Sequence, residues 1–420
     1  MSETWAPGWR GPSAWIRAQT NEIASDPALR VYGALLALTH GLTFATWQLE
    51  WRLADLLSAD AVAVCWPFFE RCADFRFLDA SGLAGVLWSY AALSLATCAI
   101  FGLGPRRTGL AWVALLLLEI LKAAIVFQDF RLRLNQHYMA GMASLAFLFL
   151  PRKREALRLL IVLFYFWAGA LKLNREWLSG SALYHQDRFW IQGALLPWAC
   201  AYVVVLEMAV SFGLLARRAW VFWPALFQFA AFHVFSWPVV GFFYPTLMFL
   251  LLALYLLCRW IPTARADLSA GDLFRGRAAA SSWALIVGFS ALQLIPVAIP
   301  GDSALTGEGR IFAVHMFDAK IECEADYVLT ESNGNVRHLE PSGVYAPRIR
   351  CDPLLHWNYA RHLCREAAKV SWKVRLDLHL SSRHSDESEL RPVIAIQDFC
   401  VLDPGYRTLW HNDWILLSPP

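Results

Sequence analysis

A succession of apolar stretches, each close to the roughly 20 residues that a helix needs to cross a hydrocarbon core, constrains this chain more than any other feature. They run from Val31 to Leu49, Gly82 to Leu103, Leu110 to Phe127, Tyr138 to Leu150, Leu159 to Leu173, Pro197 to Leu215, Trp220 to Val239, Gly241 to Leu257 and Trp283 to Ile299. The fourth and fifth are short. With 57% hydrophobic and 17% charged residues, the composition lies outside the soluble globular range. The chain therefore reads as a polytopic α-helical membrane protein of about nine membrane segments, with a C-terminal α+β domain that is rich in strands.

A net charge of +3 says little as a sum, because what orients a membrane protein is where Lys and Arg fall. Arg106-Arg107, Arg152-Lys153-Arg154, Arg217-Arg218 and the stretch from Arg259 to Arg277 occupy alternate loops. Nine crossings with the amino terminus inside put all of them in the cytoplasm. The chain then divides into a cytoplasmic segment (1–30), a transmembrane helical domain (31–299) and a periplasmic or lumenal domain (300–420). The first thirty residues are polar and mixed, so no cleavable signal peptide is read there, and the first span serves as insertion signal.

After Pro300 long apolar runs give way to alternation. "AKIECEADYVLTESNGNVRHLEP" reads as two strands around Asn333-Gly334, a two-residue hairpin signal. "DPLLHWNYARHLCREAAKV" offers Asp352 as an N-cap and Pro353 at the first helical position. "VRLDLHLSS" sets Val374, Leu376, Leu378 and Leu380 on one face of a strand. Six of the nine cysteines, Cys65, Cys72, Cys323, Cys351, Cys364 and Cys400, fall in segments assigned to the outside. An oxidising compartment permits up to three bridges among them, and the residues alone leave about fifteen connectivities open.

Ionisable side chains within lipid are costly and mark sites or pathways. Here they are His40, Glu119, Lys122, Lys172, Glu207 and His233, with Gln228 and Gln293 of similar polarity. From the helical rise, Lys122 lies about 18 Å and Lys172 and His233 about 20 Å from the cytoplasmic end of their spans. The polar groups thus gather in the outer half of the bilayer. Glu119 and Lys122, three residues apart, also read as a self-satisfying pair, Glu207 as an interhelical contact, His233 as a packing histidine and Lys172 as a snorkelling lysine.

At "YFWAGALKLNREWLSG" the sequence resembles the vitamin K-dependent γ-glutamyl carboxylases and their bacterial relatives, the horizontally transferred transmembrane-domain family. Tyr165, Phe166, Ala168, Gly169, Lys172, Leu173, Asn174 and Trp177 match the family's pattern there. "LNQHYMAG" resembles the segment whose Asn-Asn-His precedes a span and maps Asn135, Gln136 and His137. "FQFAAFHVFSW" maps His233, "CWPFF" the first exported loop, and "YARHLC" a helix of the lumenal domain. The resemblance runs from about residue 30 to 415. Gln136 replaces an asparagine of the family, "LPRKREALR" stands where the carboxylases carry a longer segment, and the chain stops where the animal enzymes continue.

The resemblance implies a lyase that couples oxidation of a hydroquinone by O2, leaving an epoxide, to addition of CO2 to a glutamate in an exported peptide or protein. Its implied cofactor is vitamin K hydroquinone or menaquinol, reached from the lipid, with no metal. Lys172 is implied as the base and His137 as the catalytic group of the carboxylation step. His233, Asn135, Gln136, Tyr165 and Trp177 are implied at the cofactor, and Cys65 is implied to be joined to Cys364. A lysine serves as a base when it is neutral at rest, and the apolar "LIVLFYFWAGAL" before Lys172 disfavours its ammonium form. Two other readings are a quinol-linked oxidoreductase that uses Lys172 without carboxylation, and a non-enzymatic membrane partner or chaperone of a secreted peptide. The tail histidines His315, His338, His356, His362, His379, His384 and His411 form no recognised metal-ligand spacing. No basic patch points to nucleic acid.

Overall fold

The computed structural model describes residues 11–58, 62–183, 191–261, 279–339, 349–369 and 374–417. Its helices are α1 (Pro12–Ala24), α2 (Pro27–Thr46), α3 (Leu53–Leu57), α4 (Ala80–Gly102), α5 (Thr108–Val126), α6 (Asn135–Phe149), α7 (Lys153–Ala170), α8 (Arg175–Ser179), α9 (Leu196–Met208), α10 (Ala219–Val240), α11 (Phe243–Trp260), α12 (Ala279–Ala298), α13 (Ser303–Thr306), α14 (Pro353–Lys369) and α15 (Phe399–Leu402). Several begin where short polar side chains satisfy the free backbone donors of a first turn. Asp26 accepts from the amides of Ala28 and Leu29 ahead of α2. Asp79 does so for Gly82 ahead of α4, and Asp352, with Pro353 behind it, for Leu354 ahead of α14. A π-helical turn, Trp47–Trp51, extends α2.

Among the described residues seven helical stretches, against the nine expected, are both long and apolar enough to cross a membrane: Pro27–Glu50, Ala80–Gly102, Pro105–Val126, Gly193–Leu215, Ala219–Val240, Phe243–Trp260 and Ala279–Ala298. The fourth and fifth expected segments fall to α6, of 15 residues, and α7, of 18 residues with Lys153, Arg154, Glu155 and Arg158 in its first half. Both run through the middle of the bundle. Asn135 at the start of α6 donates a short hydrogen bond to the His315 carbonyl, on the side of the C-terminal sheet. At the other end Lys153 Nζ donates to Gln19 of α1 at 2.7 Å, and α7 then returns toward the sheet. Arg154 binds Asp26 and the Ile261 carbonyl, and Arg259 binds the Arg217 carbonyl. Arg106 and Arg107 lie in a turn that packs beside α1. The basic clusters therefore share one end of the bundle; of the stretch from Arg259 to Arg277, residues 262–277 lie outside the described residues.

The C-terminal residues form an antiparallel sheet of four strands, β1 (Ile321–Glu331), β2 (Val336–Leu339), β3 (Val374–His384) and β4 (Arg391–Ile396), in the order β2-β1-β3-β4. The hairpin turns at Asn333-Gly334, where Gly334 has φ +88°, a conformation that glycine adopts without steric cost. Leu376, Leu378 and Leu380 of β3 are fully buried, the period-two face read from the sequence. They share a core with Leu354, Leu355 and Trp357 of α14, and also with Val64, Trp66 and Phe130 from the loops after α3 and α5. The bundle loops are thus built into the base of the sheet domain.

The cysteines are joined as Cys65–Cys72, Cys323–Cys351 and Cys364–Cys400. This corrects the expected Cys65–Cys364 bridge. A tight turn from Trp66 to Phe69 folds the first exported-type loop back on itself and brings Cys65 and Cys72 to a Cα separation of 5.4 Å. Cys364 on α14 meets Cys400 on α15 at the same separation. Both lie within the range a disulfide requires. The loop and α14 do touch, by hydrogen bonds: Asn358 accepts from the Cys65 amide and donates to its carbonyl.

Candidate functional site

Gly169, near the end of α7, lies so close to α9 that a Cβ built there would stand 2.8 Å from Glu207 Cβ and 2.9 Å from Met208 Cγ. This absence of a side chain lets the two helices approach and sets Lys172, just past the end of α7, beside Glu207. Lys172 Nζ donates to Glu207 Oε2 at 2.6 Å, with Lys172 3% and Glu207 0% exposed. The next turn is shaped by Asn174, whose side chain accepts from the Trp177 amide and donates to the Leu171 carbonyl. It brings the Trp177 ring to 5.2 Å from Lys172 Nζ, within cation–π range. The Trp177 indole N–H is held by the Cys200 carbonyl of α9 at 2.9 Å.

Lys172, Glu207 and Trp177 line a cavity whose other walls are largely apolar: Ala199, Cys200 and Val203 of α9, Phe232, Val239 and Val240 with Ser236 on α10, and Tyr244 on α11. Its remaining wall is a strap, residues 310–318, that follows the last helix and contributes Met316 and Phe317. Gln293 of α12 holds this strap, accepting from the Val314 amide at 2.7 Å and donating to the Phe312 carbonyl. Asn135 holds it at His315. Asp318 ties it by accepting from Arg310 and lying 2.8 Å from His315 Nδ1. Burial pushes the His315 imidazole down to about 4, an effect that Arg310 strengthens and Asp318 opposes. Glu207 Oε1, on the cavity wall, is a buried acceptor with no hydrogen-bond partner among the described residues.

Of the residues expected at the site, Lys172 and Trp177 touch the cavity directly. Tyr165 and His233 stand one layer behind, the Tyr165 hydroxyl 2.7 Å from His233 Nε2 and the His233 ring packed on Tyr244. Asn135 acts on the strap. Gln136 is half-buried at the start of α6. His137 belongs to a second buried group. There the Trp47 indole N–H donates to His137 Nε2 at 3.2 Å, and Trp47 stacks on Tyr90. The Tyr90 hydroxyl lies 2.7 Å from His40 Nδ1, His40 Nε2 lies 3.1 Å from Glu119, and Glu119 pairs with Lys122 at 2.7 Å. The Glu119–Lys122 pair read from the sequence is therefore present, with His40 as its third member. The two groups meet at the start of α11, where Phe243 packs on His137 and Tyr244 lines the cavity.

Glu207 as the partner of Lys172, and Trp47 as the partner of His137, were not assigned from the sequence. A lone acid and a lone base in separate apolar spans are a signal that the two must meet, since neither is tolerated unpaired in lipid. Several of the tail histidines find partners inside the C-terminal domain or at its edge: His356 with Tyr327 and the Arg350 carbonyl, His338 with Asp326, and His411 with Glu308. His384 of β3 lies between Glu176 of α8 and Asp302.

Fold and site together describe a helical protein with membrane-length segments, an amine–carboxylate pair on the wall of an apolar cavity, and a small sheet domain closing one end. Comparison of the chain with protein-family models, with curated proteins and with solved structures found no match.

Proposed function

We propose that the protein is an integral membrane enzyme of the vitamin K-dependent γ-glutamyl carboxylase type, acting on a glutamate of an exported peptide or protein. The observation that carries this reading is the 2.6 Å pair of Lys172 and Glu207 on the wall of an otherwise apolar cavity. Such a lining suits a flat ring that bears hydroxyl groups and an apolar chain, the chemistry of vitamin K hydroquinone or menaquinol. Bound there with O2, a reduced naphthoquinone supplies the strong base that removes a γ-proton from glutamate, to which CO2 then adds.

The chain's own groups handle the first proton. Glu207 Oε1 would accept the hydrogen of a ligand hydroxyl, and Lys172 beside it would face the same oxygen. Lys172 thus acts together with its carboxylate partner. Trp177 and the strap residues Met316 and Phe317 keep water from the pair, which strengthens both interactions. His233 and Tyr165 buttress the wall from behind.

The topology that goes with this reading places the amino terminus in the cytoplasm and the sheet domain outside, at the inner membrane of a bacterium. The gathering of the basic clusters at the end of the bundle opposite the sheet supports it. Counting α6 and α7 as a pair of crossings or as neither leaves the same parity, so the two termini face opposite sides either way.

The separation of His137 from the Lys172 cavity favours one alternative, a quinol-linked oxidoreductase that does not carboxylate. The test is incorporation of labelled CO2 into a glutamate peptide by the protein in lipid, with reduced vitamin K or menaquinone and O2, and with epoxide assayed in parallel. The expected result is label and epoxide in wild type, with both lost in Lys172→Ala. Epoxide without label selects the oxidoreductase, and neither product from folded protein points to the binding-partner reading.

A further inference from the structure

The large apolar side chains that the C-terminal domain leaves uncovered are gathered at one edge of its sheet. Among the described residues after Pro300, one of them is Val336 on β2, and the rest fall within residues 401–417. Val401 is 81% and Trp410 73% exposed, with Leu402 and Leu409 more than half exposed. Single exposed apolar residues need no explanation, but a group confined to one face does. Residues 415 and 416 bond to β4, so this segment borders the sheet edge opposite β2. Buried contacts fix its level. Gly309 packs so tightly on the last turns of α12 that a Cβ built there would stand 2.8 Å from Pro296 Cα. The adjacent Glu308, 1% exposed, accepts from the Asn412 amide and side chain at 2.7 and 2.8 Å and lies 2.9 Å from His411 Nδ1. The Leu409–Trp410 corner is therefore held at the level where α12 ends.

Val401 and Leu402 are tied to the same level by another route. The next residue, Asp403, pairs with Arg361, and Arg361 pairs with Glu70. Glu70 belongs to the loop whose Trp66 donates to the Val126 carbonyl, at the end of α5. Both α5 and α12 lie in stretches of membrane length. We propose that this edge of the C-terminal domain rests on the lipid surface, with Leu402, Leu409 and Trp410 entering the headgroup layer of the bilayer that α5 and α12 cross. The occupant follows from the level, since a lipid surface begins where those two helices end. It follows also from the side chains, because an indole, apolar with one polar N–H, suits that layer best. The rim agrees: Arg407 and Asp413, on either side of the corner, pair with each other at 3.1 Å and are largely exposed, so charge stays in the headgroup water while the apolar tips go in. The proposal rests on α5 and α12 lying in a membrane and not on any chemistry in the Lys172 cavity.

Photocrosslinking of the full chain in nanodiscs of phosphatidylcholine and phosphatidylglycerol tests this. A benzophenone amino acid is placed by Trp410→p-benzoylphenylalanine and, as the reference on the far edge of the sheet, by Val336→p-benzoylphenylalanine. Expected is a phospholipid adduct at position 410 in several-fold higher yield than at 336; equal yields overturn the proposal. Hydroxyl-radical footprinting of the wild type in the same nanodiscs needs no variant to fold. Corrected for intrinsic reactivity, Trp410 should be modified several-fold less than Val336, although Trp410 is the more exposed of the two in the protein alone. A Trp410 modified at least as readily as Val336 lies in water, leaving this face to a soluble partner, and the proposal fails. Neither measurement reads a quinol or CO2, so a lipid-protected Trp410 in a protein that fixes no CO2 retires the carboxylase reading and leaves the lipid contact standing.

Discussion

Among the described residues the bundle holds two buried amine–carboxylate pairs, and they differ in what surrounds them. Glu119 and Lys122 sit one turn apart on a single helix, and both Glu119 oxygens are engaged by Lys122 and His40. Lys172 and Glu207 come from different helices, and one carboxylate oxygen faces a cavity without a partner. Burying a charged pair away from water costs as much as the attraction returns unless the remaining hydrogen-bonding capacity is met. The closed pair meets it internally and so fixes the packing of α2, α4 and α5. The open pair leaves it for a ligand. Two similar charge pairs in one membrane-type bundle are therefore unequal evidence of chemistry.

Breaking the open pair has the largest expected effect. Lys172→Ala leaves Glu207 buried and unpaired, which costs about 3–5 kcal/mol and abolishes turnover. Lys172→Met combined with Glu207→Leu recovers most of the melting temperature but none of the activity. Recovery of both in the double variant would make the two pairs equivalent and remove the distinction. Lys122→Ala in the closed pair carries a similar stability cost of about 3–5 kcal/mol. Here, however, the ligand affinity of the remaining folded protein should stay within about threefold, as read by quinol titration.

The sheet domain offers a contrast of another kind, because its buried imidazole is neutral. His356 is pushed from 6.5 down to about 4 by burial, with the Arg350 carbonyl and Tyr327 hydroxyl engaging its two nitrogens. A folded value below the unfolded one means that the unfolded chain takes up a proton first. The stabilising contribution is complete above about pH 6.5 and is lost as pH falls toward 4, by about 3 kcal/mol. Melting curves across this window should show the loss, and His356→Gln should flatten it. The smallest effect expected is at Gly169. Alanine there must displace Glu207 or Met208, at about 1–3 kcal/mol, with a several-fold rise in KM for the quinol; an unchanged KM would mean that the approach of α7 to α9 does not set the pair.

Much of this was legible in the residues. The hairpin at Asn333-Gly334, the capped start of α14 and the buried face of β3 follow from local rules, since turn chemistry, capping and strand alternation act over a few residues. The apolar spans were legible too, except that α6 and α7, taken as crossings, are shorter or more charged than the other spans. Their place in the middle of the bundle depends on neighbours that no local window contains. The resemblance led to Lys172 and Trp177, and the structure sets both on one cavity. It did not lead to Glu207, 35 residues further along. The Cys65–Cys364 pairing failed for the same reason: which thiols meet is decided by how the loop before α4 and the end of α14 turn, and each turned toward a cysteine nearer in sequence.

By itself, then, the sequence determined that several long apolar helices are present, the strand pattern of the C-terminal domain, and which side chains are too polar to lie in lipid unpaired. These are set by hydrophobicity and short-range backbone preferences. Only the tertiary structure decided that Lys172 meets Glu207 where Gly169 lets α7 and α9 approach, and that His137 answers to Trp47 and not to Lys172. It also decided that the strap from Arg310 to Asp318 closes the cavity. Each of these is a contact between segments distant in the chain, and such contacts depend on helix packing distances of a few ångströms that composition and spacing do not carry.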